Sequence, residues 1–343
     1  MLPPRYAKWL TDLLGGTLPE EQAATCSSCA MQGEAVAEGY RFRADAKCCT
    51  YVPALPNFLV GAALRELPPG PGRASLESRI EDLATCTPHG LDVSEADRAR
   101  YQALVAAESF GRDPDLRCPH YLAEQGGLCG IWRQRNGVCA TWFCKHDRGA
   151  AGQRFWQTAE ALLTLTEREL CHWCACQLLY REAPPGAAAI DDSLSEWSAW
   201  VPLRRDYYLR AAALVDELSW PEVQVIGGPE LAALAEQLQA AHAALQPEDP
   251  AGRSPRLVAL RRPPAVLVPG TVKLARRGPT STRVVTYSDS DALELPNEVL
   301  ALLPRFDGRP TEQVLAELAR EGVILTPDLV ARLVDFAVLQ APA

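Results

Sequence analysis

All twelve cysteines of this chain fall between Cys26 and Cys176, and residues 177–343 contain none. They run as Cys26-x2-Cys29, the adjacent pair Cys48-Cys49, a solitary Cys86, then Cys118, Cys129, Cys139 and Cys144, and last Cys171, Cys174 and Cys176. A thiol-rich segment of this kind is stapled by disulfides in an oxidising compartment; in a reducing one it holds a metal or does redox chemistry. The opening MLPPRYAKWLTDLLGGTLPEEQAAT soon turns acidic and lacks a compact apolar core with a small-residue cleavage site after it. The longest apolar runs, such as residues 58–64, are too short to span a bilayer. The expectation is a cytoplasmic protein with unpaired thiols and no membrane partner.

Four thiolates are the usual ligand set of structural zinc sites and of iron–sulfur clusters, and a Cys-x2-Cys pair points two sulfurs at one centre. Alone, Cys26-x2-Cys29 says little. Together with Cys48-Cys49 and the series Cys118, Cys129, Cys139 and Cys144, it marks a metal module with zinc or iron as the cofactor. Cys86 stands apart and reads as a core residue. Cys171 and Cys174 share one face of a helix and Cys176 points elsewhere, so their part in metal binding stays open. His120 and His146 each lie two residues from a candidate ligand; they bind metal, hydrogen-bond a ligand sulfur, or sit at the surface. Arg133, Arg135, Lys145 and Arg148 surround the same stretch, and cations near thiols favour the thiolate.

Gly, Pro and short polar runs separate the cysteines, which implies a loop-rich module with short helices. Residues 152–180 then repeat apolar side chains every three or four positions, as a helix does. Pro184-Pro185-Gly186 ends that helix. Two further helices are expected near 206–218 and 229–245, and residues 246–252 read as a linker. Beyond it, residues 271–277 and 283–287 alternate as strands do, with Gly278-Pro279 between them. Helices follow near 297–303, 311–320 and 327–339, with Thr311 as the N-cap of the second. The expected fold is therefore α+β and mostly helical. A loop-rich cysteine-cluster metal module with its trailing helix (1–182) precedes a helical segment and linker (183–252). A small winged-helix-like domain (253–343) closes the chain.

Other chemistry is not signalled. The chain has no G-x-x-x-x-G-K-[ST], no G-x-G-x-x-G after a strand, no G-x-S-x-G and no H-E-x-x-H. The formal net charge of −9 speaks against nucleic-acid binding by the whole surface. Locally the balance reverses: residues 253–288 hold eight Lys or Arg and no acid, whereas residues 289–343 hold ten acids and four arginines.

Two resemblances rest on these stretches. The set CSSC, KCCTYVPALPNFLVG, CPHYL and CGIWRQRNGVCATWFC resembles the YkgJ-like cysteine-cluster family of zinc- or iron-chelating proteins, over roughly residues 20–150. That resemblance implies Cys26, Cys29, Cys48, Cys49, Cys118, Cys129, Cys139 and Cys144 as metal ligands. The eighteen residues between Cys29 and Cys48 depart from the family's closer spacing of the two pairs. Flagellin lysine methylases carry a related cysteine pattern, so an iron–sulfur enzyme modifying a protein substrate is the alternative to a binding protein. The stretch ELPNEVLALLPRFDGRPTEQVLAELAREGVILTPDLVARLVDFAVL is similar to PqqD-like peptide-recognition domains. It implies an open strand edge at 272–277 or 283–287 for an acidic peptide, with Lys273, Arg276, Arg277 and Arg283 attracting it. Nucleic acid is not an expected partner, because the last helix carries one Arg and two Asp.

Overall fold

The structure, a computed structural model, describes residues 2–22, 24–32, 40–181, 196–245 and 263–342. The expected helix stop at Pro184-Pro185-Gly186, the linker at 246–252, and Arg253, Arg256, Arg261 and Arg262 lie outside the described residues. The chain is mostly helical with small sheets. It divides into two compact units: residues 1–20, 25–142 and 157–238 form the first, and 21–24, 143–156 and 239–343 the second. The long helix over 149–180 gives its first turns to the second unit and the rest to the first.

In the first unit, α1 (Pro4–Leu14) starts on a proline and buries Tyr6, Trp9 and Leu10, one turn apart on one face. Gly15, at φ 66°, closes it by donating its N–H to the Thr11 carbonyl. α2 (Asn57–Glu66) is buried along almost its whole length, from Asn57 to Leu64. It packs on α8 (Arg204–Asp216), whose buried face is Tyr207, Tyr208, Ala211, Ala212 and Val215. The two backbones touch at Gly61, where a Cβ would run into the Tyr208 carbonyl. Between these lie α3 (Pro71–Glu81), α4 (Glu95–Ala106), α5 (Gly137–Thr141), α6 (Gly149–Tyr180) and α7 (Glu196–Trp200). Ser94 caps α4 by accepting the Asp97 N–H. α6 carries the expected apolar stripe, with Phe155, Ala159, Leu162, Leu163 and Leu170 fully buried.

The module is as loop-rich as its Gly and Pro content implied. Its strands β1 (Leu55–Pro56), β2 (Cys86–Thr87), β3 (Gly90–Leu91), β4 (Tyr121–Leu122) and β5 (Leu128–Cys129) are two residues each. They pair antiparallel in the orders β1-β3-β2 and β4-β5. α9 (Trp220–Leu245) is two helical stretches broken at Gly228, which takes φ 67° and ψ −162°; Pro229 opens the second, at the start read from the sequence, and the stretch before it was not anticipated.

The second unit adds β6 (Val268–Pro269), β7 (Lys273–Arg277), β8 (Ser281–Val285) and β9 (Leu293–Pro296). α10 (Asn297–Leu302), α11 (Thr311–Arg320), α12 (Pro327–Asp335) and β10 (Leu339–Gln340) follow. β7, β8 and β9 form one antiparallel sheet in that order. β9 has no counterpart in the sequence reading, since a four-residue run ending in proline is a weak strand signal. α12 stops at Asp335, not near 339: Ala337 takes φ 55°, and Leu339–Gln340 leave to pair with β6. Thr311 is not a cap either. It is the first helical residue, and its hydroxyl donates to the Pro264 carbonyl at 2.7 Å. Leu267, Val284, Phe306, Val314, Leu318, Val330, Leu333 and Val338 form one continuous core.

Candidate metal centre

Seven of the eight candidate cysteines belong to the first unit, carried by its loops, β5 and the short α5. The Cys118 N–H donates to the Cys49 carbonyl at 2.8 Å, joining the Cys48-Cys49 turn to the Cys118 loop. That turn is set by Lys47, a buried residue held at φ 52°. Its ammonium donates to the carbonyls of Cys26 (2.7 Å), Gly126 (2.8 Å) and Gly127 (3.1 Å), so one cation gathers the loops that carry Cys26, Cys48 and Cys129. Gly130, beside Cys129, donates its N–H to the His120 carbonyl at 2.7 Å. Its close approach to Gly72 leaves no room for a Cβ on either residue. Asn136 caps α5 by accepting the Cys139 N–H at 3.0 Å, while its amide donates to the Ala54 carbonyl.

The thiols so placed act on one another. Cys26 is hydrogen-bonded to Cys48; that bond and burial push its thiol far up. Burial pushes Cys118 up to about 12, with Cys129 and Cys48 adding to the effect. Cys129 rises through burial and through Cys26. Cys139 is held well up by burial, reinforced by Cys118, Cys129 and Cys48. Cys29 rises by burial and feels Cys26. Opposing this are the cations: Lys47 acts on Cys26 and Cys29, Arg79 on Cys118, and Arg135 on Cys26, Cys129 and Cys139. Arg135 is itself buried, stacked 3.4 Å over the Trp132 ring, and donates to the Cys139 carbonyl at 3.2 Å. Backbone N–H groups two residues on also aim at the sulfurs: Met31 at Cys29, His120 at Cys118 and Ile131 at Cys129. Such donors stabilise thiolate over thiol.

Six thiols, Cys26, Cys29, Cys48, Cys118, Cys129 and Cys139, thus form one electrostatically connected set. Among the described residues, no three His, Cys, Asp or Glu side chains are arranged as a group that could hold a metal ion. No disulfide joins any of the twelve cysteines. The donor chemistry suits a soft divalent metal: crowded thiols that oppose each other's ionisation become mutually compatible as thiolates beside a cation.

The remaining candidates are placed as follows. Cys144 belongs to the second unit, where its carbonyl accepts the Ser290 hydroxyl. His120 is fully buried and both ring nitrogens are used. Arg79 can only donate to Nε2 (3.3 Å), so Nδ1 carries the hydrogen and donates to Ser75 Oγ (2.9 Å). Burial holds its pKa down at about 3, and it serves as a neutral structural residue. His146, in the second unit, is buried with Nδ1 unpartnered and its backbone N–H on Asp291 (2.9 Å). Cys86 is in the core beside the Tyr208 hydroxyl, as its isolation implied. Cys174 is buried against the Ala211 carbonyl, and Cys176 faces His172.

Beside Cys139 lies a cavity of about 420 Å³ that the sequence reading missed. Tyr51, His89, Asn136, Val138, Glu167 and Cys171 are among its lining residues. Glu167 is buried, and burial raises its carboxyl to about 7. Its Oε1 accepts the Tyr6 hydroxyl and the Gly137 N–H (2.6 Å); Oε2 takes neither bond. Burial lifts Tyr51 to about 12, and Cys139 and Glu167 act on it in the same direction. Glu167 was visible in the sequence as the one acid on the apolar stripe of α6, between Leu163 and Leu170. Lys47 was visible only as a neighbour of Cys48.

In the second unit, Lys273, Arg276 and Arg277 lie on β7, an edge strand with every residue exposed. Lys273 faces Asp289 at 3.6 Å. β8 is paired on both sides, so the open edge is that of β7, and Arg283 stands opposite Arg276 and Glu294. Compared with known proteins, the chain matches no family model, no curated protein and no solved structure. Among the described residues no helix is long and apolar enough to cross a membrane.

Proposed function

We propose that the chain is a metal-binding cysteine-cluster protein, taking zinc or iron, with a peptide-recognising tail, and that it works in peptide or protein modification in a reducing compartment such as the cytoplasm. The single observation that carries this reading is the coupling of Cys26, Cys29, Cys48, Cys118, Cys129 and Cys139 around Arg135 and Lys47. Cys49 and Cys144 complete the ligand set that the YkgJ-like resemblance implies. An ion draws the loop-borne sulfurs together, and each must lose its proton to bind. In the tail, the sheet and three short helices agree with a winged-helix-like, PqqD-like unit. The β7 edge offers unpaired backbone groups to an acidic peptide strand beside Lys273, Arg276 and Arg277. The test is metal analysis of anaerobically purified protein, with Cys118→Ser and Cys139→Ser as controls. Stoichiometric zinc (colourless) or iron (brown) in the parent and its loss in both variants is the expected result. Absence of both metals from the parent refutes the proposal.

The cavity beside Cys139 favours a second reading, an iron–sulfur enzyme acting on a protein substrate. Its support is a cavity lined by Glu167, whose carboxyl is raised to about 7, and by Val138, the chain neighbour of Cys139. Brown protein whose spectrum shifts on adding substrate peptide separates it from the first.

A further inference from the structure

Within the first unit, the turn at residues 87–90 and the last turns of α6 are joined by a buried asparagine. Asn57, fully buried at the start of α2, donates from Nδ2 to the Pro88 carbonyl (3.0 Å) and to the Cys171 carbonyl (2.9 Å). Its backbone N–H donates to the His89 carbonyl at 2.9 Å, and the Tyr207 hydroxyl also donates to the Pro88 carbonyl, at 3.0 Å. The His89 N–H donates to Thr87 Oγ1 (3.2 Å). The peptide groups just before His89 and just before His172 thus hang on one amide. Accordingly the two imidazoles lie side by side, their planes 7° from parallel and their centroids 5.8 Å apart.

His172 and Cys176 are four residues apart on α6, so they share one helix face. Cys176 Sγ lies 3.7 Å from His172 Nε2. Two ligands of one tetrahedral zinc ion, with Zn–S near 2.3 Å and Zn–N near 2.0–2.1 Å, stand about 3.6 Å apart. The pair is therefore at chelating distance with the helix as it stands. The contact between sulfur and nitrogen is itself solvent-exposed, as are both imidazoles, so an ion has access from water. A thiolate with an imidazole suits ions of the zinc and copper class; hard cations take oxygen instead.

We infer that His172 Nε2 and Cys176 Sγ chelate one thiophilic divalent ion of the zinc type, at a site separate from the candidate cysteine ligands described above. Binding releases the Cys176 thiol proton to water, and the imidazole offers its Nε2 lone pair with its hydrogen on Nδ1. Among the described residues no third His, Cys, Asp or Glu completes a group, so the other coordination positions are open to water or a small donor. His89, placed beside the His172 ring by Asn57, borders the site.

The experiment follows iodoacetamide alkylation of individual cysteines in the reduced full chain by peptide-resolved mass spectrometry, with and without micromolar free zinc. A metal-bound thiolate is no longer a free nucleophile, so zinc slows alkylation of Cys176 by at least about tenfold. His172→Ala, at an exposed position, abolishes that protection and leaves Cys118 and Cys139 responding to zinc as in the parent. Protection at Cys176 without any at Cys118 and Cys139 upholds this site and counts against the metal reading of the cysteine cluster; the reverse refutes this site alone. Magnesium at the same concentration, a hard cation, protects nothing. Should the variant fail to fold, that comparison of ions on the unaltered protein decides. Equal alkylation of Cys176 with and without zinc, equal protection by magnesium, or protection that survives His172→Ala overturns the inference and leaves a surface hydrogen bond only.

Discussion

Between residues 263 and 342 the chain buries one apolar set drawn from sheet and helices, with Leu267, Val314, Leu318 and Val330 wholly enclosed. Between residues 40 and 142 the interior is different in kind. Lys47, Asn57, His120, Gln134, Arg135 and Asn136 are all buried there, and strands are two residues long. An apolar core needs only to exclude water, whereas each buried polar group needs a partner in place. The tail rests mainly on that apolar set, and its buried Asp291 and Asp335 accept from the His146 N–H and from Arg148. The cysteine module is held by specific pairings, Lys47 on three carbonyls and Arg79 on His120 among them.

Metal removal gives the largest expected contrast. Structural metal sites contribute roughly 10 kcal/mol or more to folding in loop-rich modules. Stripping the metal with a chelator should therefore raise hydrogen exchange across residues 40–142 and leave 263–342 unchanged. Equal loss of protection in both regions breaks the contrast. The converse comes from Leu318→Ala, which opens the tail's core at a site with no exposure and should cost about 2–5 kcal/mol in denaturant unfolding. Metal content should not change; a fall in bound metal would show that the two regions are not independent.

Glu167 sharpens the comparison within the first unit. Its carboxyl is raised from 4.5 to about 7, so the folded state holds a proton that the unfolded state has released between those values. Stability from this group is present at low pH and lost as pH rises through that window, roughly 3 kcal/mol in all. Its neighbours Tyr6, Tyr51 and Cys171 are shifted upward and stay neutral there. Glu167→Gln keeps a carbonyl for Gly137 and Tyr6 and should remove Glu167's share of the slope. Urea unfolding of both proteins at about pH 5 and pH 7 measures the difference, in which Glu21, raised by burial to about 7 in the second unit, cancels. A parallel slope in the variant would move the effect elsewhere. The smallest effect belongs to the exposed edge: Arg276→Glu with Arg277→Glu should slow association of an acidic peptide by about tenfold at low salt and change dissociation little. An unchanged association rate would remove these arginines from the peptide site.

What the sequence alone determined was whatever local pattern controls. The stripe on α6, the 311–320 helix and the hairpin around Gly278-Pro279 follow from periodicity and turn chemistry, and each is found within a few residues. The grouping of thiols was legible in the same way, as spacing. Tertiary structure decided the rest. β9 exists because β8 offers it an edge, and α12 ends early because Leu339 has β6 to pair with. The helical stretch before Pro229, which buries Trp220 and Val223, was not announced by any local pattern. No spacing revealed that Lys47 would gather three carbonyls, that His120 would spend both nitrogens on Ser75 and Arg79, or that Asn57 would set His89 beside His172. Buried polar groups are satisfied by partners distant in sequence, so their roles exist only once the chain has folded around them.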